Sequence, residues 1–308
     1  MEFAPAEPSV TDLSVWEVFR HPSYTDASSD DRVRIQVASA SWRYDYEQDD
    51  DSLGRYFPQA VVHLRARRML DLGCFTGGRL VAWTERFDFA SARGIDISET
   101  FAEAGTRFTE IRATQSCALS GERKPRFDVG VGERLPYKDG CFDAILSLDV
   151  FEHVQDVSAV MAECRRVLAP DGMLLTCFPQ YFQPLESHLG LFTRVPGLHL
   201  VFSGRALAGA IAEIARSRGA SACWYAHGHQ REWERSPYLN GITIRQFREI
   251  LRDQEWTVKS WATDPVFSDR RRAQRPLFRL VRALVRPLAK LPVTEEMFLG
   301  RVCCVLER

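Results

Sequence analysis

Between residues 68 and 178 the apolar positions of the chain alternate between two periods. Short apolar runs at Met69–Leu72, in the stretch carrying Asp96, and at Phe127–Val131, Phe142–Leu148 and Met173–Phe178 have the length of strands. Between them, apolar residues recur every three or four positions, which predicts helices over Gly77–Phe87, Glu99–Thr114 and Val157–Leu168. Phe142–Leu148 is apolar enough to be buried on both faces, as a central parallel strand must be. Pro170-Asp171-Gly172 is a turn signal that separates the third helix from the fifth strand. Strands and helices in this alternation predict an α/β fold with a doubly wound, mainly parallel sheet.

The flanks read differently. Residues 1–30 are rich in Pro, Ser and acids, a loosely held composition. From Asp31 to Leu64 a helical pattern carries Trp42, Tyr44, Tyr46, Tyr56 and Phe57 around the acidic run Glu47–Asp51. After the fifth strand, residues 179–240 form an insertion with one helix near Ser203–Ser217. The pattern then resumes with a helix over Thr243–Gln254 and strands at Thr257–Thr263 and Gly300–Leu306. Four parts follow: 1–66, a tail and helices; 67–178, a ligand-binding core; 179–240, a cap; and 241–308, the end of the sheet, interrupted by a basic amphipathic insertion at 269–291. Loops as long as the cap are usually functional when they occur in compact domains, so it is read as a lid or acceptor-binding element.

The chemistry starts at Met69-Leu70-Asp71-Leu72-Gly73-Cys74-Phe75-Thr76-Gly77-Gly78, a strand that breaks into a glycine loop and then a helix. Glycine there allows positive φ and lets a ligand lie against the main chain. The helix start adds unpaired N–H groups, which suits a nucleotide-like ligand. A dinucleotide fingerprint needs a second glycine where Phe75 stands, so a pyrophosphate would meet a ring. Asp96 closes the next strand about 20 residues on, where a carboxylate can accept both hydrogen bonds of a ribose diol.

The hydrophobic-Asp-hydrophobic-Gly-x-x-x-Gly pattern around Asp71, followed by Gly94-Ile95-Asp96-Ile97, resembles the cofactor motifs of class I S-adenosylmethionine (SAM)-dependent methyltransferases of the type 11 kind. That resemblance implies a Rossmann-like seven-stranded sheet with the cap inserted, SAM as cofactor and S-adenosylhomocysteine (SAH) as product. It implies that Asp71, Gly73, Cys74, Gly77, Asp96, Ile97 and the backbone of Leu148 hold the cofactor. The segment Gly130–Tyr137 resembles the family's G-D-A-E-x-L-P-F, whose acid binds the adenine amino group. Val131 stands in the acid's place, leaving Glu133, Arg134, backbone groups or stacking for that task. N-terminal helices often fold over the pocket in this family, so Tyr44 or Tyr46 either lines it or packs. The activity implied is O-methylation of a sugar, glycan or polyketide-like acceptor. N- or C-methylation of a small molecule and a non-catalytic scaffold are the alternatives.

For a hydroxyl acceptor a base is needed, and Asp149-Val150-Phe151-Glu152-His153 lies at the end of the fourth strand, where the family places such groups. His153 is the first candidate because imidazole accepts a proton near neutral pH; the alternative is that it caps or packs against the following helix. Asp149 and His188 are the other catalytic candidates. Asp-x-x-Glu-His also resembles a Glu-x-x-Glu-His metal cluster, so Asp149, Glu152, His153 and His188 form an alternative divalent-metal site, although the main expectation is none. His227 and His229 have ligand-like spacing but suit polar surface. In the cap, Tyr181, Phe182, His188 and His199 suit either a sugar ring or plain packing.

Composition narrows the partners. A formal net charge of -1 and 45% hydrophobic residues are ordinary for a globular protein and give no argument for nucleic acid, while the resemblance implies a small-molecule or glycan acceptor. No apolar run approaches the roughly 20 residues of a spanning helix, and no secretory signal is seen at the start. Eight cysteines without C-x-x-C spacing predict free thiols in a reducing cytosol. The adjacent Cys303 and Cys304 should point to opposite faces of a strand. Segment 269–291 carries arginines at 270, 271, 272, 275, 279, 282 and 286 with leucines and valines at helical spacing. It reads as a helix docked on its own domain, a peripheral membrane contact through 270–290, or a homodimer contact.

Overall fold

The structure, a computed structural model, describes residues 52–182, 197–217, 239–265 and 295–308, with positions 42, 46, 195, 276, 280, 283, 284, 287 and 291. After α1 (Ser52–Tyr56), the elements are β1 (Arg68–Leu72), α2 (Gly78–Phe87), β2 (Ser91–Asp96), α3 (Glu99–Ala113), β3 (Arg126–Val129), β4 (Phe142–Leu148), α4 (Val157–Val167) and β5 (Leu168–Pro179). Then come α5 (Leu198–Val201), α6 (Gly204–Ser217), α7 (Ile244–Asp253), β6 (Thr257–Pro265), α8 (Glu295–Phe298) and β7 (Leu299–Glu307). The sheet order is β3-β2-β1-β4-β5-β7-β6. The first five strands in that order are parallel, and β7 runs antiparallel to both β5 and β6. This is the expected doubly wound seven-stranded Rossmann-like sheet.

Alternation along the strands builds a core on each face. Leu70, Leu72, Ile145, Leu174 and Cys304 pack with Val160 and Met161 of α4 and Phe247 of α7. Their neighbours Met69, Leu146, Leu175 and Cys303 pack on the other face with Leu80 and Trp83 of α2, Leu53 of α1 and Phe57 just after it. Cys303 and Cys304 therefore do part to opposite faces. The Pro170-Asp171-Gly172 signal lies inside β5, where the predicted turn takes the form of a bulge. Phe142 pairs with Leu168 and Ala144 with Met173, so one residue of β4 faces four of β5 between those partners. A Cβ on Gly172 would lie 2.9 Å from the Ala169 carbonyl oxygen, which is why the bulge accepts glycine there.

The N-terminal aromatics pack. Trp42 stacks on Tyr46 at 5.1 Å and leans on Phe108 of α3. Tyr46 donates a 2.6 Å hydrogen bond to Glu85, and burial beside that carboxylate pushes its phenol up to about 12. Tyr46 thus takes the packing alternative; Tyr44 lies outside the described residues. All six described positions between 276 and 291 (Pro276, Leu280, Ala283, Leu284, Pro287 and Leu291) are exposed.

The described part of the cap is fastened to the end of β5 by a reciprocal pair. Tyr181 Oη donates to the His199 carbonyl at 3.0 Å, and His199 Nε2 donates to the Tyr181 carbonyl at 2.8 Å. Their rings meet edge to face at 5.3 Å. Burial pulls the His199 pKa below its usual value. A histidine held neutral in the fold stabilises it above its unfolded pKa and loses that contribution as pH falls toward the lower folded value. Lowering the pH below about 6.5 should therefore lower Tm more in the native protein than in His199→Asn. Differential scanning calorimetry at a neutral and a mildly acidic pH checks this.

Candidate active site

The carboxyl ends of parallel β1, β2, β4 and β5 share one edge of the sheet, and order reverses between β1 and β4, where such folds bind ligands. At that crevice the glycine loop is fixed by its neighbours. Gly73 and Cys74 both donate to the Ile95 carbonyl, at 2.9 and 3.1 Å, and Gly77 donates to Cys74 at 2.9 Å. Gly73 and Gly77 have φ of 73° and 78°. A Cβ at these positions would lie 2.3 Å from Val150 Cγ2 and 2.1 Å from Phe127 Cε1, so both glycines are demanded by packing as well as by conformation.

Asp96 ties the loop to the second strand. Its Oδ2 accepts the Phe75 N–H at 3.0 Å and its Oδ1 accepts the Ser98 N–H at 3.0 Å. Burial raises its pKa while the Ser98, Phe75 and Ile97 amides oppose that rise. A carboxylate offers about four lone-pair positions, so with these amides in place it can still accept from a ribose hydroxyl. Phe75 also holds positive φ, 53°, and its ring packs at a tilt against Phe101 of α3 with centroids 4.5 Å apart. The sequence suggests a ring in the phosphate position, whereas the structure shows it packed on the neighbouring helix. Asp71 and Cys74 are buried beneath the loop. Burial, with Asp96 and Asp71 nearby, drives the Cys74 thiol well up, so it stays neutral.

Beyond β2 and β3 the edge is apolar and open. Ile97, Val129 and Val131 are 59%, 50% and 48% exposed, a surface onto which a flat heteroaromatic ring could stack. The two other candidates for that end differ from expectation. Glu133 Oε1 accepts the Gln155 N–H at 2.9 Å and the Asp156 N–H at 3.4 Å, which caps the approach to α4. Arg134 is exposed beside Val131, to which it is joined by an isolated bridge. The Leu135 amide and carbonyl are held by Glu163 and Arg166, so the whole 130–137 segment is fixed to α4.

At the end of β4, Leu148 is buried and Asp149 turns with φ of 58°. Asp149 pairs with Arg301 of β7 at 2.6 Å. Asn240 secures the next turn, its side-chain nitrogen donating to the Phe151 and Val154 carbonyls at 2.7 Å each and its own N–H to the Glu152 carbonyl at 2.8 Å. That turn holds Glu152 buried, its side chain 3% exposed, with His153 Nε2 3.6 Å from Oε1. Burial raises the Glu152 carboxyl well above its usual range, and nearby Asp149 and Cys177 add to the rise while its own backbone N–H and Arg301 oppose it. Among the described residues, neither Glu152 oxygen has a hydrogen-bond partner on another residue. Glu152 lines a cleft with Pro179, Gln180, Tyr181, Leu239, Gly241 and Ile242.

The motif pattern offers Glu152 only within the metal alternative and gives no sign of Asn240 as the organiser of its turn. Of the catalytic candidates, the structure brings together Asp149 and His153; His188 lies outside the described residues, as do His227 and His229. Among the described residues, no group of three or more His, Cys, Asp or Glu could hold a metal ion. No helix among them is long and apolar enough to cross a membrane.

Comparison with known proteins places these features in context. The family described as "Methyltransferase domain" matches residues 70–176. Over 113 residues the chain is 36% identical to norajmaline N-methyltransferase of Rauvolfia serpentina, covering 36% of this chain and 35% of that protein. Over 106 residues it is 30% identical to malonyl-[acyl-carrier protein] O-methyltransferase of Geobacter sulfurreducens, covering 34% and 36%. The chain spans about a third of the length of these curated relatives. A solved SAM-dependent methyltransferase from Mesorhizobium loti is 14% identical with a TM-score of 0.49, over 84% of this chain and 99% of that one.

Proposed function

We infer from residues 70–176, which belong to the class I SAM-dependent methyltransferase domain family, that the chain transfers a methyl group from SAM to a heteroatom of a small acceptor. The observation that carries this reading is Asp96, whose carboxylate closes β2 and fixes the glycine loop through the Phe75 N–H. The glycine loop and the open apolar edge at Ile97, Val129 and Val131 fit the nucleoside of SAM. Asp71, Gly73, Cys74, Gly77 and Asp96 would hold its methionine end and ribose, and Leu148 would contribute its backbone. Bound SAM would supply a methyl carbon activated by the sulfonium. The chain's own residues do the rest: they align the acceptor, which is worth several kcal/mol, and remove its proton.

The relatives in the comparison include both an N- and an O-methyltransferase. A hydroxyl of a sugar, glycan or polyketide-like acceptor, with His153 taking its proton, is one acceptor for this site; an amine is the other. The cap, 179–240, is the proposed acceptor lid. Exposed Leu280, Leu284 and Leu291, next to the arginine-rich sequence around them, support a peripheral contact of 270–290 with an anionic surface or with a second copy. Calorimetric titration with SAM and SAH tests the cofactor reading: micromolar binding of both is expected, and no binding of either favours a scaffold. Release of SAH across a panel of hydroxyl and amine acceptors then reports the acceptor atom.

A further inference from the structure

We propose that the chain docks on an anionic phospholipid surface through two exposed apolar rows, one around Leu284 and one around Val201, at the carboxyl edge of the sheet. The proposal rests on the peripheral-contact reading of 270–290 and narrows it to one partner. The described positions 276, 280, 283, 284 and 287 are helical, and their spacing of three or four residues puts them on one face. The residues there are Pro276, Leu280, Ala283, Leu284 and Pro287, and all are exposed, Leu284 to 64%. A face docked on its own domain would be buried; this one is not. In the sequence, Pro276, Leu280, Ala283 and Pro287 are each preceded by an arginine, and Leu291 by Lys290. Successive helical positions lie about 100° apart, so this order is the pattern of a helix with a basic row beside an apolar one.

The second row belongs to the cap. Val201 at the end of α5 is 78% exposed, and Leu200 and Phe202 beside it are exposed too. Both rows hang on consecutive residues just past β5. Gln180 Nε2 donates to the Glu296 and Leu299 carbonyls, and the Glu295 N–H donates to the Leu291 carbonyl at 2.8 Å, which ties Leu291 to that strand end. Tyr181 is joined reciprocally to His199, the residue before Leu200. Two apolar surfaces thus leave the protein at one edge, the edge that also carries the glycine loop.

Charge selects the occupant. Residues 270–294 carry eight cations and no acid in a chain whose formal net charge is -1, so the rest of the molecule is acidic. An anionic bilayer matches both properties of this edge: its headgroups attract the cations, and its acyl boundary takes up leucine, valine and phenylalanine side chains. A second copy meeting the same face across a two-fold axis would set basic row against basic row. Duplex nucleic acid satisfies the cations and leaves the apolar rows in water.

Co-sedimentation of the full chain with two sets of vesicles tests this, one of phosphatidylcholine and one of phosphatidylcholine with phosphatidylglycerol. The chain should partition at least about tenfold more strongly onto the anionic set, and added salt should weaken that binding. Leu280→Glu with Leu284→Glu, and separately Val201→Glu with Phe202→Glu, should each lower partitioning about tenfold or more, with circular dichroism and SAH affinity unchanged. Equal partitioning onto the two sets, binding that survives in either double variant, or tighter binding to a DNA duplex than to anionic vesicles would each overturn the proposal. No vesicle binding, together with a dimer in sedimentation velocity that the leucine variant dissolves, overturns it and leaves the second-copy reading of 270–290 standing. Neither vesicle binding nor a dimer removes both.

Discussion

Replacing Asp96 with alanine will weaken SAM binding by two orders of magnitude or more, about 3 kcal/mol or above, while the protein stays folded. Two losses combine. The ribose loses a carboxylate acceptor, and the glycine loop loses the bond that holds the Phe75 N–H at 3.0 Å. Phe75 carries an L side chain at φ 53°, a conformation that persists only while its surroundings enforce it. Asp96 supplies one of those constraints, and the tilted ring contact with Phe101 supplies another. Asp96→Asn should fall between the native protein and the alanine variant, because its carbonyl oxygen accepts one N–H while its NH2 group faces the other. Calorimetric titration of the three proteins with SAH provides the comparison, and circular dichroism verifies the fold. An alanine variant that binds SAH like the native chain would remove Asp96 from the site.

Gly77→Ala should be the most damaging glycine-to-alanine change among the described residues, costing about 2–5 kcal/mol. The added carbon would lie 2.1 and 2.4 Å from Phe127 Cε1 and Cζ, and the backbone there is left-handed at φ 78°. Phe127 has nowhere to retreat. Its ring also lies within 2.9 Å of the Cβ positions of Gly94 and Gly105, so three glycines on separate elements make room for one aromatic residue. A shift of Phe127 would carry β3 with it and open the loop that faces the ligand. The expected result is a Tm lower by roughly 5–15 °C, with weakened SAH binding. Gly209→Ala is the control: it lies inside α6 with nothing within 4 Å of the new carbon, so it should be neutral or raise stability by about 0.5–1 kcal/mol.

Much of this site is legible in the order of its residues because its geometry is encoded locally. The spacing from Gly73 to Asp96 is one loop, one helix and one strand, and period alone shows that. Glu152 is harder to see. In the sequence it is one acid among others beside His153, and its burial depends on Asn240, 88 residues away, whose amide satisfies the Phe151 and Val154 carbonyls. Glu133 misleads for the opposite reason. Its place in a motif-like segment suggests a ligand contact, but a neighbouring helix start at Asp156 presents amides that claim it first. Pro170-Asp171-Gly172 is a true local signal for chain reversal, and only its pairing with β4 shows that the strand continues through it as a bulge. Each gap arises where a distant segment decides the fate of a local group.

The position of β7 between β5 and β6 has a consequence for assembly during synthesis. Among the described residues β6 has β7 as its sole neighbour in the sheet, so when the ribosome has extruded Thr257–Pro265 that segment has no partner to zip against. Its exposed backbone stays a sticky edge until Leu299–Glu307 emerges and slots in antiparallel to both sides. The intervening stretch of chain thus sets a waiting time, during which the unpaired β6 segment is a target for a chaperone.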